Sequence, residues 1–301
     1  MIDHMPATPV YRIHSLESAD WISRMDTHKD KLAPIINPYL KRRSEQKKDP
    51  VLDFLFEYYK FRPSHLMRWS PGAGTILKLD ESAEALPEVS ELKIDDQSAY
   101  LDPDLFPKKR LRAASWIRDL LVKTNQSKPF FGCMGMHEWA MVYKAGDVRH
   151  GQIPLRLPDD EIARFVESRP LLCTHFDAFR FFTNEAKPLN KNELTRDTFQ
   201  DTEQPGCIHT NMDIYKWAYK LYPWISSELI GDAFLLAVDA RTIDMKASPY
   251  DLQNRGLEPI RIETEDGRKE YLQHQTAIWE RGLPIRQSLI EAYNTLFSLF
   301  D

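Results

Sequence analysis

From Cys207 to Leu221 the chain reads Cys-Ile-His-Thr-Asn-Met-Asp-Ile-Tyr-Lys-Trp-Ala-Tyr-Lys-Leu. This spacing predicts a helix, because apolar side chains recur along one face and polar side chains along another. The apolar face holds Ile214, Trp217, Ala218 and Leu221, and the polar face holds His209, Asp213, Lys216 and Lys220. One face is expected to pack in the core. The other either performs chemistry or is an ordinary solvated acid–base pair.

A second stretch surrounds His175 and Asp177 with aromatic residues. From Cys173 it reads Cys-Thr-His-Phe-Asp-Ala-Phe-Arg-Phe-Phe-Thr. The alternation predicts a strand with His175 and Asp177 on the same side. Asp177 would then place negative charge near a developing cation or ligate a metal together with His175. The alternative is a hydrogen-bonded polar pair at the edge of a sheet.

A third stretch contains the dipeptide His137-Glu138 and opens a short predicted helix. From Phe130 it reads Phe-Phe-Gly-Cys-Met-Gly-Met-His-Glu-Trp-Ala-Met-Val-Tyr. The zincin pattern needs a second histidine four residues after the first, and Met141 occupies that position. A structural role for His137, in which one hydrogen bond holds its ring, is therefore as good an interpretation as a catalytic role.

All three stretches carry cysteine, histidine and a carboxylate, and together they define a predicted active-site region at 131–221. Residue types that recur in separate fragments are most simply explained by one shared site, so the three histidines are expected to surround a common cavity. Such a set could also bind a divalent transition metal through His137, His175 and His209. Glu138, Asp177 or Asp213 would complete that ligand shell.

The remaining pattern predicts an α+β fold, a mainly helical single domain over 1–301 with a modest β-sheet. An N-terminal helical segment is expected at about 16–60, broken near Pro34 and Pro38, with a new helix starting at Asp49-Pro50. Alternating residues predict strands at 75–79, 89–94 and 259–263. Further helices are expected from Pro107, near Pro158, from Ser226 to about Met245, and at the C-terminus with an interruption near Pro284.

Composition limits the functional classes. A hydrophobic content of 42% over 301 residues predicts a buried core. The net charge of −5 argues against a positive electrostatic potential over the whole surface that would hold nucleic acid. Three cysteines and a polar start at Met1–Pro6 favour the cytoplasm, and no membrane association is expected. Nucleic acid would have to bind through the local basic runs 41–48 and 108–112, which are otherwise solvated surface; nothing in the pattern points to protein partners.

The stretches that carry these residues resemble a bacterial family labelled 3-methyladenine DNA glycosylase. The resemblance covers Phe131-Gly-Cys-Met-Gly-Met-His-Glu-Trp, Thr174-His-Phe-Asp-Ala-Phe-Arg, and Pro205-Gly-Cys-Ile-His-Thr-Asn-Met-Asp-Ile-Tyr-Lys-Trp, with further matching segments at 53–59, 68–74 and 244–251. It implies a base-excision DNA-repair hydrolase that releases an alkylated base by N-glycosidic cleavage and needs no cofactor. Ser70-Pro-Gly-Ala-Gly74 precedes a predicted strand, so the chain is not of the helix-hairpin-helix type.

Such an enzyme stacks an extruded base on aromatic rings and stabilises a cationic sugar with a carboxylate. Asp177 and Asp213 are the leading catalytic carboxylates, and Glu138, His137, His175 and His209 are further catalytic candidates. The candidates for substrate binding are Trp139, Tyr215 and Trp217 as stacking partners and Arg180 and Lys216 as phosphate contacts. Two alternatives remain, a metal-dependent enzyme acting on a small or nucleotide-like substrate and a non-enzymatic nucleic-acid-binding module.

Overall fold

The protein is a mainly helical α+β domain with one small sheet, as the sequence predicts, and is described from a computed structural model. The structure describes residues 14–81, 83, 85–146 and 153–300, so the expectation for Met1–Pro6 lies outside the described residues. The α-helices are α1 (Ser18–Ser44), α2 (Pro63–Leu66), α3 (Leu111–Gln126), α4 (Met136–Val142), α5 (Asp159–Glu167), α6 (Phe176–Phe179), α7 (Phe199–Thr202), α8 (Ile208–Tyr219), α9 (Ser227–Ala247) and α10 (Glu265–Phe297).

Helices α8, α9 and α10 pack against one another in the main hydrophobic core. Helices α9 and α10 both begin with a side-chain cap, since Ser226 Oγ accepts from the Leu229 amide and Thr264 Oγ1 accepts from the Gly267 amide. Gly282 of α10 faces Asn211 of α8, where a Cβ atom would overlap the Asn211 side chain. This glycine lets the two helices approach closely, and α8 is buried over most of its surface.

The predicted helix breaks at proline are wrong, because α1 and α10 both continue through their prolines. Helix α1 contains Pro34 and Pro38, and α10 contains Pro284. All three prolines are exposed, so each ring lies on the solvent side and costs a backbone hydrogen bond without disturbing the core. On α1 the opposite face is anchored by Leu32 and Ile36, which are fully buried.

The sheet has the strand order β1–β2–β4–β3, with β1 at His14–Leu16, β2 at Thr75–Lys78, β3 at Leu92–Ile94 and β4 at Ser98–Leu101. The β1–β2 pair is parallel and the other pairs are antiparallel, with Leu77 and Ile94 both opposite Ala99. Two of the predicted strands are therefore present but separated by β4. The prediction of a strand at 259–263 is wrong, since Ile260 and Ile262 are buried in an irregular segment.

A π-helix, Phe54–Tyr58, occupies the place where the pattern predicts an α-helix starting at Asp49-Pro50. The Asp49 side chain does cap this segment by accepting from the amides of Val51 and Leu52. The wider turn stacks the rings of Phe54 and Tyr58 on each other, with centroids 4.9 Å apart. Single π-turns within helices are frequent at functional sites, and here the turn directs aromatic rings toward the site described next.

None of the helices in the described ranges is long and apolar enough to cross a membrane.

Candidate functional site

The three histidines lie close together, but only His175 and His209 line the cavity described below, so the prediction that all three surround it is wrong for His137. The ring centroids of His137 and His209 are 4.0 Å apart, and those of His175 and His209 are 5.5 Å apart. All three side chains are buried. His137 lies in α4, His209 in the first turn of α8, and His175 at the residue that precedes α6.

The predicted strand around His175 is wrong, because the chain turns into the short helix α6 directly after this residue. Alternation of apolar and polar residues over four positions is also compatible with one helical turn. The contact of His175 with the distant residue Glu203, which the local pattern does not reveal, accompanies the helical turn here. The helix places Asp177 beside Lys216 instead of on the same strand face as His175, with Asp177 Oδ2 2.9 Å from Lys216 Nζ.

Gly135 directly precedes α4, and its φ of 74° lies in the left-handed region. A Cβ atom at this position would also lie 3.1 Å from the Tyr271 ring. Glycine is therefore needed for both the backbone turn and the close contact. The turn brings His137 and Glu138 into the interior, facing α9.

His137, His209 and Asp244 form a potential metal-binding group. One ligand atom from each residue lies within 4.8 Å of the others, and all three side chains are buried. His137 Nε2 is 2.7 Å from Asp244 Oδ1, and His209 Nε2 is 3.8 Å from Asp244 Oδ2. Two nitrogen or oxygen ligands of one tetrahedral zinc ion are about 3.3 Å apart, given bond lengths near 2.0–2.1 Å. Of the two observed separations from Asp244, the 2.7 Å to His137 is shorter than this value and the 3.8 Å to His209 is longer.

Several polar atoms around this group have no hydrogen-bond partner among the described residues. They are both ring nitrogens of His137, Asp244 Oδ1 and Glu138 Oε2. His137 Nε2 and Asp244 Oδ1 are at ion-pair distance, but their orientation does not meet the angular requirement of a hydrogen bond. Buried polar groups in native proteins normally have partners, so this cluster is suited to an ion or water.

Arg241 connects the two carboxylates next to this group. Its Nη1 donates to Glu138 Oε1 at 2.7 Å and also to Asp244 Oδ2. Two carboxylates and one guanidinium leave one negative charge, which a proton on His137 or a metal ion would balance. Burial opposes protonation, but the charge of Asp244 outweighs it and raises the pKa of His137 to about 10 in the metal-free chain.

His209 has the opposite tendency. Burial lowers the pKa of its imidazole well below the usual value, and the neighbouring His137 lowers it further. A neutral imidazole with a free lone pair is the form that binds metal or accepts a proton.

His175 is paired with Glu203, which the sequence did not single out. His175 Nδ1 is 2.6 Å from Glu203 Oε1, and Thr210 Oγ1 donates to Glu203 Oε2. Burial opposes protonation of His175, but Glu203 raises its pKa overall. A carboxylate that fixes one ring nitrogen leaves the other available for proton transfer.

Asp213 is held by donors on two sides. Tyr59 Oη donates to its Oδ1 at 2.7 Å, and Lys216 Nζ donates to its Oδ2 at 2.6 Å. Lys216 also binds Asp177, whose other oxygen accepts from Arg180 at 3.1 Å. Burial opposes ionisation of Asp177, but Lys216 lowers its pKa overall. Both leading carboxylates therefore lie in one ion-pair network.

A small cavity of about 50 Å³ opens next to these groups. That volume holds a few water molecules and is below the range of small-molecule sites. Its polar lining residues are Glu138, His175, Asp177, His209, Asp213 and Arg241, and its apolar and aromatic lining residues are Phe54, Tyr58, Tyr59, Met141, Ala178 and Phe181.

The predicted substrate-binding residues lie elsewhere than the cavity wall. Trp139 is fully buried, and its Nε1 donates to the Ala247 carbonyl. Tyr215 is also fully buried and packs edge-on against Tyr59. Trp217 packs on the far side of α8 beside Trp116. Arg180 and Lys216 reach the site through Asp177.

The sequence contained a signal for some of the residues that were not singled out. Arg241 and Asp244 are spaced i, i+3 on the buried face of α9, and charges on a buried helix face indicate a paired or functional cluster. The aromatic residues of the π-helix carried no such signal, because Phe54 and Tyr58 fit the apolar stripe of a core helix equally well.

Comparisons of this chain with models of protein families, with curated proteins and with solved structures find no match. The glycosylase resemblance therefore stays a prediction, and functional inference depends on the site itself.

Proposed function

We propose that the chain is a metal-dependent hydrolase in which His137, His209 and Asp244 hold one divalent transition-metal ion. The supporting observation is that one ligand atom each from His137, His209 and Asp244 lies within 4.8 Å of the others in the buried interior, beside Glu138 Oε2, which has no hydrogen-bond partner among the described residues. A cation at this point would offset the negative charge left by the two carboxylates and Arg241.

The donor set suits a catalytic ion better than a purely structural one. Two imidazoles and one carboxylate leave at least one coordination position open for water or substrate. A bound divalent ion would acidify such a water and polarise a substrate oxygen. His209 lines the cavity, so this position is accessible from it.

His175 is the proposed general base. Glu203 holds its Nδ1, and the ring lies next to His209 and lines the cavity. A histidine oriented by a carboxylate takes a proton from water efficiently because its tautomer and position are fixed beforehand. Asp213 then supplies a fixed negative charge in the same cavity, held by its hydrogen bond from Tyr59.

The side chains that line the cavity suit the planar apolar part of a substrate, for which the cavity of about 50 Å³ would have to widen. The rings of Phe54, Tyr58 and Phe181 line it together with titratable groups, and the Arg241 guanidinium lies over the Phe54 ring. A nucleobase-like group has this combination of an apolar face and polar edges. We place the enzyme in the cytoplasm, because its three cysteines are free and a reducing compartment keeps them so.

The test is metal binding by the purified chain after dialysis against a chelator. We expect one zinc or cobalt ion per chain by calorimetry, a visible cobalt spectrum typical of a site with nitrogen ligands, and a rise in melting temperature on loading. His209→Gln and Asp244→Asn should each weaken binding by roughly 10-fold or more, as ligand-shell changes usually do.

The matched control is His274→Gln, which changes an exposed histidine on α10 that is 4.0 Å from Glu270. It should bind metal like the parent chain. The proposal fails if the parent binds no stoichiometric metal, or if folded His209→Gln and Asp244→Asn bind as well as the control. Circular dichroism of each variant shows whether it is folded.

A metal-free glycosylase is the second candidate, favoured by the position of Asp213. This buried carboxylate lines the cavity with both oxygens oriented by donors, as is needed to stabilise a cationic sugar. Asp213→Asn should then lower release of base from alkylated DNA by at least about a hundredfold. Full activity of chelator-treated protein on that DNA would favour this candidate, whereas activity that returns only with metal would favour the hydrolase with a bound ion.

A further inference from the structure

The two basic runs of the sequence differ in how their charges are paired. In the first run, Lys47 Nζ lies 2.7 Å from Glu45, Arg42 2.6 Å from Asp49, and Lys48 3.5 Å from Glu57. These acids neutralise much of the run. It therefore behaves as an ordinary solvated helix end.

The second run, 108–112, is not neutralised in this way. None of its lysine and arginine side chains forms an ion pair with any residue in the described ranges, and the same holds for Lys60 and Lys220. One cleft is lined by four of these cations. Two come from the second run, Lys109 and Arg110, and two come from other parts of the chain, Lys60 and Lys220. Burial and the nearby charge of Lys216 lower the pKa of Lys220, as expected where cations are crowded together.

This positive charge is local, because the chain as a whole carries a net charge of −5. Arg68 also lines the cleft but lies 3.7 Å from Glu88, and Glu91 is the other acid on the wall. The cations of the cleft therefore outnumber its acids. Unpaired cations that converge on a concave surface favour an anionic ligand.

Aromatic side chains lie between these cations. Trp116 is 41% exposed and lies 6.0 Å from Trp217 in an edge-to-face arrangement. Both rings line a shallow groove with Lys109, Arg112 and Lys220. Because Lys109 and Lys220 also line the cleft, the groove and the cleft are continuous.

The cleft is large and adjoins the candidate active site. It encloses about 1010 Å³, at the upper end of the range of about 300–1,000 Å³ typical of small-molecule sites, so it has room for a large or extended ligand. Tyr59 lines both the cleft and the active-site cavity. The cleft and the cavity are therefore neighbours, with the buried Tyr59 side chain at their boundary.

We infer that this continuous surface, formed by the turn before α3, the start of α3 and the end of α8, binds a single strand of nucleic acid. Phosphates would contact Lys109, Arg112 and Lys220, and a base would stack on Trp116. Interleaved cations and exposed aromatic rings are the common means of holding single strands, whose bases are free to stack on protein. Any role of the bound strand as a substrate rests on the proposed function, whereas its binding at this surface does not.

The experiment measures fluorescence anisotropy of a labelled mixed-sequence DNA strand of about 12 nucleotides, with chelator present so that no metal-dependent turnover occurs. Three phosphate contacts predict an affinity loss of roughly 20-fold between 50 and 200 mM salt. Lys109→Glu with Lys220→Glu should weaken binding by roughly 100-fold or more, and Trp116→Ala by roughly tenfold.

The control is Lys41→Glu with Lys47→Glu, which makes the same change in net charge on the first basic run and should bind like the parent. Inorganic polyphosphate should compete poorly, since it has no bases to stack. The inference is overturned if the parent does not bind, if both double variants lose affinity equally, if Trp116→Ala binds normally, or if polyphosphate competes as well as the DNA strand. Because chelator is present, none of these results depends on metal binding.

Discussion

Glu203 Oε1 lies 2.6 Å from His175 Nδ1 in the buried interior, although the two residues come from separate loops before α6 and α8. Glu203 also accepts from Thr210 in the first turn of α8. One carboxylate therefore holds a proposed general base against the helix that carries His209. This contact joins parts of the chain that no helix or strand pairing connects.

Removing this carboxylate should destabilise the fold. Glu203→Ala leaves the buried Nδ1 of His175 and the Thr210 hydroxyl without their hydrogen-bond partner, and each unsatisfied buried polar group costs roughly 1–3 kcal/mol. Urea unfolding followed by circular dichroism gives the free energy of unfolding. Glu193→Ala, an exposed position before α7, should change it by less than about 0.5 kcal/mol. Equal values for the two variants would contradict the structural role of Glu203.

Gly282→Ala should destabilise the chain even though alanine is the better helix former. In an unobstructed helix this change would add up to about 1 kcal/mol of stability. Here the new methyl group overlaps Asn211, whose Oδ1 accepts from Arg286 Nη2 at 2.8 Å, so we expect a loss of about 1–3 kcal/mol. Thermal and urea unfolding would show the sign. Gly146→Ala, with nothing within 4 Å of the added atom, is the control.

Pro34→Ala in α1 should stabilise the chain. The helix runs through this exposed proline, so alanine restores a backbone hydrogen bond on the solvent side without touching the core. Proline costs up to about 3 kcal/mol within a helix, partly offset by its rigidity in the unfolded chain, so a gain of about 1–2 kcal/mol is expected. Leu32→Ala, at a fully buried position, should instead lose about 2–5 kcal/mol. A loss of stability in Pro34→Ala would contradict the continuous helix.

The features that sequence predicts well here are local ones. The spacing of α8 depends only on neighbouring residues, and it places His209 and Asp213 on the side that the structure lines with titratable groups. The same local patterns mislead at Pro34, where distant packing holds the helix together, and at His175, where Glu203 fixes a turn instead of a strand. The contacts of Asp244 with His137 and of Arg241 with Glu138 need the fold itself, because these partners are about a hundred residues away along the chain.

His28 should make the fold less stable in mild acid. It is buried in α1 against Gly231 of α9, and its Nε2 lies 2.8 Å from the Leu66 carbonyl, to which a neutral ring can donate. Burial lowers the pKa of His28 below 6.5, although the carbonyl and the nearby Glu228 partly oppose this. The folded chain therefore accepts this proton only at a lower pH than the unfolded chain does.

The sign follows from the difference in bound protons. As the pH falls below about 6.5, the unfolded chain takes up a proton before the folded chain does, so the free energy of unfolding decreases until the pH reaches the folded pKa. The contribution is fully present above about pH 6.5 and has a slope of at most about 1.4 kcal/mol per pH unit. Urea unfolding between about pH 7 and 5 should show a shallower decrease for His28→Gln than for the parent chain. His274→Gln, at an exposed site, should keep the parent slope, since other titrating groups such as His137 and His175 are the same in all three proteins. Identical slopes for His28→Gln and the parent would show that His28 does not titrate differently on folding.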